Sequence, residues 1–335
     1  MELFELTRTL VDIESITENE RAVGEYLFQH LSSLASTTGG KVEKMEVEKD
    51  RFNVFACWGD QPVVTLSTHI DTVPPFFASR EDDEFIWGRG ACDTKGIIAA
   101  MIFAIRQLLE EGQRNIGLLL VVGEERNSNG ADCAAKNGRG SKFLINGEPT
   151  ENKLALGSKG ALRFELSTHG RMAHSAYPEL GESAILKLLD ILDDLRQLPL
   201  PHDPVLGQSM LNIGTISGGR APNVIPDEAG AELFFRLIDA GDSVEAQTRH
   251  AVNGRGELFK RLHVPAVHLG SVPGFETTIV AFTTDIPGFK GAWGKPFLLG
   301  PGSIHVAHTS EERIPKRQLR DSVPLYKKLI RHLLV

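Results

Sequence analysis

Five short stretches of this 335-residue sequence bring together histidines and carboxylates that could hold a metal and move protons. The apolar run PVVTLST leads into His69-Ile70-Asp71, and the loop GRGACDTKG carries Asp93. The run LLLVVG ends in Glu124-Glu125, and KFLIN is followed by Gly147-Glu148-Pro149. The Gly-rich stretch GPGSIHVAHTSEE carries His305 and His308. Two histidines and three or more carboxylates match the nitrogen and oxygen donors taken by a borderline divalent ion such as zinc. Carboxylates crowded at one edge repel each other, and a dication removes that repulsion. Asp93 could bridge two ions about 3.5–4 Å apart, the spacing of two-metal hydrolases. Of the two adjacent glutamates, one can bind metal while the other, unligated, acts as general base. Residues i and i+2 share one face of a strand. Asp71 can therefore orient the His69 imidazole and raise its basicity.

Taken singly, each stretch has an ordinary reading. The His69-Ile70-Asp71 pattern could be surface polarity or a cap, Glu124-Glu125 a solvated turn, Glu148 a loop residue and His308 an exposed histidine. GRGACDTKG could cradle a phosphate before a helix, but it lacks the GxxxxGK[ST] and GxGxxG orders. What favours the metal reading is that these residues follow successive buried strands, at the edge where open α/β sheets place ligands.

Those strands are apolar runs at 62–70, 115–123 and 142–146. They alternate with helical patterns through Leu3, Leu6, Leu10 and Ile13, through Val23, Leu27, Leu31 and Leu34, and over 96–110. Thr17 and Glu20 have capping-box spacing before the second helix. Two further strands are predicted at 41–48 and 53–58. The alternation predicts an α/β fold with a mostly parallel mixed sheet between helices. Near Gly157 the pattern changes to half-exposed strands at 161–168, 210–217 and 228–238, with a helix at 183–198. The stretch SVEAQTRHAVNGRGELFKRL reads as a second helix, interrupted at Gly254 or Gly256, and 264–269 as a last strand. The buried style returns with a strand at 295–299 and a helix at 322–334. One domain, 160–270, is thus predicted to be inserted in another made of 1–159 and 271–335.

Composition sets the outer limits. Hydrophobic residues at 41% and charged residues at 24% exclude a disordered, collagen-like or coiled-coil chain. A net charge of −8 argues against a nucleic-acid partner. Three widely spaced cysteines, Cys57, Cys92 and Cys133, fit a reducing cytoplasm rather than a disulfide framework. The first residues lack a secretory pattern, and no apolar run has membrane-spanning length. The expectation is a cytoplasmic protein that engages no membrane.

The ordered motifs carry a resemblance. STHIDTVP resembles GHxDxVP, WGRGACDTKG resembles GRGxxDxKG, GEERNSNGA resembles EExxxxGA, and INGEPT resembles GEPT. GRMAHSAYPELGESAI resembles GxxxHSxxPxxGxxA, APNVIPDEAGAELFFR resembles NxxPxxxxxxxxxR, and GPGSIHVAHTSEE resembles GPGxxxxAHxxxE. These are motifs of the dinuclear zinc metallopeptidases and deacylases that include acetylornithine deacetylase, succinyl-diaminopimelate desuccinylase, aminoacylase and glutamate carboxypeptidase. The match runs from the first helix to Glu312.

The resemblance implies a zinc-exopeptidase-like catalytic domain with an inserted α+β lid or dimerisation domain. It implies two divalent ions per subunit, Zn2+ or Co2+, one held by His69, Asp93 and Glu148 and the other by Asp93, Glu125 and His308. It makes Asp71 the partner of His69 and Glu124 the general base, and selects His308 over His305. It implies that His174 stabilises the oxyanion, in dimeric members at the other subunit's site. Asn223, Arg236 and Gly302 would contact substrate, Arg236 by pairing with a carboxylate. GEPT and the AH ending look most like acetylornithine deacetylase, which implies removal of an acetyl group from an amino acid such as N-acetylornithine in arginine biosynthesis. A di- or tripeptidase, a desuccinylase and a metal-held binding protein are the alternatives. A homodimer through the lid is the expected assembly. Two departures stand out: Thr94 follows Asp93 where Met is common, and residues 275–284 leave barely room for one helix.

Overall fold

The computed structural model describes residues 1–335. Helices α1 (Leu3–Val11) and α2 (Arg21–Thr38) precede β1 (Lys41–Glu48) and β2 (Arg51–Trp58). Then come β3 (Val64–His69), α3 (Gly96–Glu110), β4 (Ile116–Val121), α4 (Asn129–Lys136) and β5 (Phe143–Asn146). The next run is β6 (Gly160–His169), α5 (Ala184–Arg196), β7 (Met210–Gly218), β8 (Glu228–Leu237), α6 (Asp242–Val252) and β9 (Glu257–Val264). The last two main elements are β10 (Lys295–Leu298) and α7 (Lys316–Leu334). Two compact units result. One comprises Met1–Leu156, Leu269–Thr278 and Thr284–Val335, the other Gly157–His268 and Ile279–Thr283.

In the first unit six strands lie in the order β1-β2-β4-β3-β5-β10. The pairs among β4, β3, β5 and β10 are parallel, and β1 and β2 continue the sheet antiparallel. Every residue of β3 and β4 is buried, as strands covered on both faces require. Alternate β4 residues divide between the faces. Leu118 and Leu120 pack with residues of α1, α2, α3 and α7, whereas Leu119 and Val121 pack with Ala131 and Ala134 of α4, Phe289 and Trp293. Parallel register aligns His69 with Val121, Ser67 with Asn146, and Leu298 with Asn146. The segments that follow β3, β4, β5 and β10 therefore leave the sheet at one edge.

The second unit is an antiparallel sheet, β7-β8-β6-β9, with α5 packed on β6 and β8 and in contact with α6. Strand β8 alternates buried and half-buried residues. Its Phe235 meets Phe164 edge to face at 6.4 Å, and both rings are fully buried. Phe235→Ala is expected to destabilise this unit by about 3–5 kcal/mol. Urea unfolding followed by a probe of this unit checks it, and an unshifted midpoint would exclude the ring from the core.

The structure revises several local expectations. Thr17 caps no helix: α2 starts at Arg21 behind Glu20, with no side-chain cap bond. The Glu20 carboxylate is taken by the buried Arg51 guanidinium, and the Thr17 hydroxyl donates to Asp71 at 2.8 Å instead. The second half of SVEAQTRHAVNGRGELFKRL is strand β9. The helical run ends at Val252 with Asn253 as its left-handed cap, and residues 257–264 pair with β6. Helix α4 was not foreseen. Thr277–Val280 is a strand, followed by a 3-10 turn at Ile286–Phe289. Ile279–Thr283 groups with the second unit because Ser158 Oγ donates to the Phe282 carbonyl and the Lys159 N–H to the Val280 carbonyl.

Candidate dinuclear metal centre

His69 is the last residue of β3 and is buried. Its Nδ1 lies 3.0 Å from the Asp71 backbone carbonyl. A carbonyl can only accept, so this nitrogen carries the proton and Nε2 faces Asp93 Oδ1, 2.9 Å away. Asp93 sits in the helical turn Ala91–Lys95 just before α3, with non-helical backbone angles. Thr94 ties this turn to β3, its hydroxyl donating to the His69 carbonyl at 2.7 Å. On the other side His308 Nε2 approaches Asp93 Oδ2 at 3.4 Å and Glu125 Oε1 at 2.9 Å.

Two groups of donor atoms result: His69, Asp93 and Glu148, and Asp93, Glu125 and His308, each within 4.8 Å. Asp93 belongs to both. His305 belongs to neither and is exposed. Asp71 is fully buried behind the site, and its two oxygens accept the consecutive backbone N–H groups of Glu124 and Glu125 at 3.1 and 3.2 Å. One carboxylate thus holds the turn that presents both glutamates and stands beside His69, its Oδ1 3.5 Å from Nδ1.

The electrostatics suit a divalent cation. Glu148 is 4% exposed, yet its Oε1 has no hydrogen-bond partner, a state that is costly in a buried carboxylate. Burial pushes the pKa values of Glu124 and Glu148 well above the carboxylate range, with neighbouring carboxylates adding to it against the pull of His69. Burial raises Glu125 as well, against the hydrogen bond from His308. Hydrogen bonds to Asp93 and Glu125 raise His308 to about 10. Burial lowers the His69 pKa, but Asp71 and Asp93 more than offset it and leave it well raised. Without metal, the two imidazoles serve as the counter-charges of a carboxylate cluster. Nitrogen and carboxylate oxygen in these proportions suit zinc or a related divalent ion.

Residues 65–332 match peptidase family M20/M25/M40. A probable carboxypeptidase of Aspergillus terreus is 38% identical in an alignment covering 96% of this chain and 84% of its own. The chain belongs to that peptidase family. Aminopeptidase PepT from Bacillus cereus shares the fold, with a TM-score of 0.83 at 19% identity over 99% of this chain and 98% of its own. The YXEP protein of Bacillus subtilis, a dinuclear metal binding peptidase from the M20 family, gives 0.70 at 16% identity over 98% and 96%. The M20 chain described here is accordingly a metallohydrolase acting on amide or peptide bonds, with a mixed α/β fold. The motif resemblance to acetylornithine deacetylase is narrower than these matches reach. None of its helices is long and apolar enough to cross a membrane.

The remaining sequence-predicted residues are spread out. In the second unit, His174 pairs with Val224, and the Asn223 carbonyl accepts the Ser175 N–H at 3.0 Å, so His174 and Asn223 are neighbours on an exposed surface. Arg236 is not with them. It lies near the end of β8 opposite Glu228, roughly 25–30 Å away along the strand at about 3.4 Å per residue. Its guanidinium is half-buried over Phe234. Gly302 is buried, with its N–H donated to Gln318 Oε1 and its carbonyl accepting the Glu151 N–H. A side chain there would meet Cys92 Sγ at 2.4 Å, and φ is +91°. Packing explains this glycine, and both of its backbone polar groups are already taken.

Sequence reasoning missed Asp285. It is 1% exposed, neither oxygen makes a regular hydrogen bond, and burial raises its pKa to about 7. Its charge is felt by Glu124 and Glu148. No strand-end pattern marks it, because it lies in the loop before the 3-10 turn at Ile286–Phe289.

Proposed function

We propose that the protein is a dinuclear metal-dependent amidohydrolase that releases an amino acid with a free α-carboxylate from an acyl or peptidyl group. A carboxypeptidase and an N-acyl-amino-acid deacylase both do this, and they differ only in what lies on the acyl side. The observation that carries the reading is Asp93, which belongs to both donor groups, with Oδ1 toward His69 and Oδ2 toward His308. His69, Asp93 and Glu148 would hold one ion, and Asp93, Glu125 and His308 the other. Bound there, such ions supply Lewis acidity and lower the pKa of coordinated water. The chain supplies the rest. Glu124 stands outside both donor groups, so its carboxylate is free to take a proton from water and return it to the leaving nitrogen. Asp71 keeps His69 in the tautomer with Nε2 facing the site. To the second unit we assign substrate contacts: Arg236 is suited to a carboxylate, whereas His174 and Asn223, too far from it to share one small substrate within a chain, would serve the site of a second copy.

The carboxypeptidase form takes its support from the 38% identical relative, and the N-acetylornithine form from the GEPT and AH motifs. The test is amine release with zinc, with cobalt and after chelation. The panel holds N-acetylornithine, acetylcitrulline, acetyl-lysine, succinyl-diaminopimelate, N-blocked dipeptides with a free carboxylate, and aminoacyl amides. Metal-dependent cleavage confined to substrates whose leaving amino acid keeps its carboxylate is expected. Cleavage of aminoacyl amides alone would overturn the reading in favour of an aminopeptidase. Absence of both turnover and metal uptake would return it to a binding protein.

A further inference from the structure

Arg89 and Glu312 form an ion pair of 2.5 Å that is almost wholly buried, at 2% and 1% exposure. Neither residue belongs to a donor group, and nothing in the proposed chemistry uses them. Their contacts converge on Asp93. Glu312 Oε1 accepts two consecutive backbone N–H groups, from Cys92 at 3.3 Å and from Asp93 at 3.2 Å. Glu312 Oε2 takes the guanidinium. Arg89 is itself fixed by the Pro75 carbonyl at 3.1 Å and by the Phe77 ring.

The local backbone explains why this contact matters. Cys92 and Asp93 lie in the first turn of the segment Ala91–Lys95, so their amides have no acceptor within the helix. Buried amides must find another acceptor. Glu312 is that acceptor, and its position fixes the backbone from which the Asp93 carboxylate projects. Asp71 does the same for the amides of Glu124 and Glu125. Each of these two ligand-bearing turns is thus held through two adjacent amides by one buried carboxylate.

We infer that Glu312 is a positioning residue of the metal centre: by clamping the Cys92 and Asp93 amides it aims Asp93 at both donor groups, while Arg89 serves as the counter-charge of its buried carboxylate. This rests on the reading of Asp93 as the shared ligand. Partners that orient metal ligands are typically worth 10–100-fold in metal affinity.

The experiment measures Zn2+ affinity by competition with a chromogenic chelator, with the melting temperature of each metal-free protein alongside. Glu312→Leu removes both the clamp and the ion pair. Glu312→Asp keeps a charge for Arg89 but is one methylene short of the amides. Glu312→Gln keeps an acceptor oxygen, and Arg89→Met breaks the ion pair yet leaves the clamp. Expected are 10–100-fold weaker zinc binding in Glu312→Leu and Glu312→Asp, and affinity within about threefold of the parent in Glu312→Gln and Arg89→Met. Arg89→Met should nevertheless melt lower, as a broken buried pair does. Should Glu312→Leu fail to fold, Glu312→Asp against Arg89→Met decides. Unchanged affinity in Glu312→Asp, or an equal loss in Arg89→Met, would overturn the inference. Failure of the parent protein to bind zinc would instead sink the metal reading beneath it.

Discussion

Glu124→Gln is expected to reduce turnover by about 10²–10⁴-fold, the usual worth of a positioned acid-base group, with metal content unchanged. The two halves of this result have separate causes. Metal content is spared because Glu124 is in neither donor group, whereas its neighbour Glu125 is. Glutamine has nearly the shape of glutamate, and the Glu124 backbone N–H still reaches Asp71. Turnover is lost because an amide neither takes a proton from water nor delivers one to the leaving nitrogen. The pH profile offers a second check. Burial raises the Glu124 pKa, and the nearby Asp285, Glu125 and Asp93 carboxylates add to it, while His69 opposes. A base must be ionised to act, so activity should fall at low pH, and this acid limb should be missing from the residual activity of the variant. Steady-state kinetics together with elemental analysis decide. A variant that keeps full kcat ends the assignment of Glu124 as base. One that loses its metal makes Glu124 a ligand instead.

The candidate site was legible because its residues follow strands with clear patterns. His69, Glu124, Glu125 and Glu148 each lie at or just beyond the end of a buried strand free of acidic residues, and parallel strands must end at the same edge. Asp93 precedes a helix whose residues are almost all buried, so its position was equally constrained. Long-range partners left no such trace. Glu312 and Arg89 are 223 residues apart, and neither lies in a periodic segment. Thr17 had the spacing of a cap, yet its hydroxyl went to Asp71, 54 positions away. A local pattern cannot register a competing partner brought in by the fold. The misread of residues 257–264 has the same origin. Leu258, Phe259 and Leu262 fit a helical face while Leu262 and Val264 alternate, so the stretch supports either period, and pairing with β6 chose the strand. For Arg236 the motif fixed the residue but not the distance, because β8 is long enough to carry it far from Asn223.

Asp93→Ala is expected to cost the protein both ions, whereas His308→Ala or Glu148→Ala should cost one. Asp93 Oδ1 faces His69 and Oδ2 faces His308, so removing it leaves each donor group with two members, while His308 and Glu148 each belong to a single group. Metal analysis after dialysis against a weak chelator reads the stoichiometry directly. An Asp93→Ala protein that keeps either ion at parental affinity would refute the shared-ligand geometry. Proton linkage gives the same site a second signature. In the metal-free protein the His308 pKa is raised to about 10 and that of His69 well above its usual value. The sign for stability follows: the contribution of each charged imidazole to the metal-free fold is complete below the unfolded value of about 6.5 and is lost as pH rises through the raised one. Metal binding runs the other way, because a ligating imidazole must be neutral. At neutral pH His308 starts protonated, so metal uptake should release protons, and zinc affinity should climb as pH rises from about 6 to 8. Calorimetry in buffers of different ionisation enthalpy counts those protons. The count should fall by about one in His308→Ala, whose remaining site still draws on His69. Binding without proton release would mean that the imidazoles are not ligands and that the ions sit on carboxylates alone.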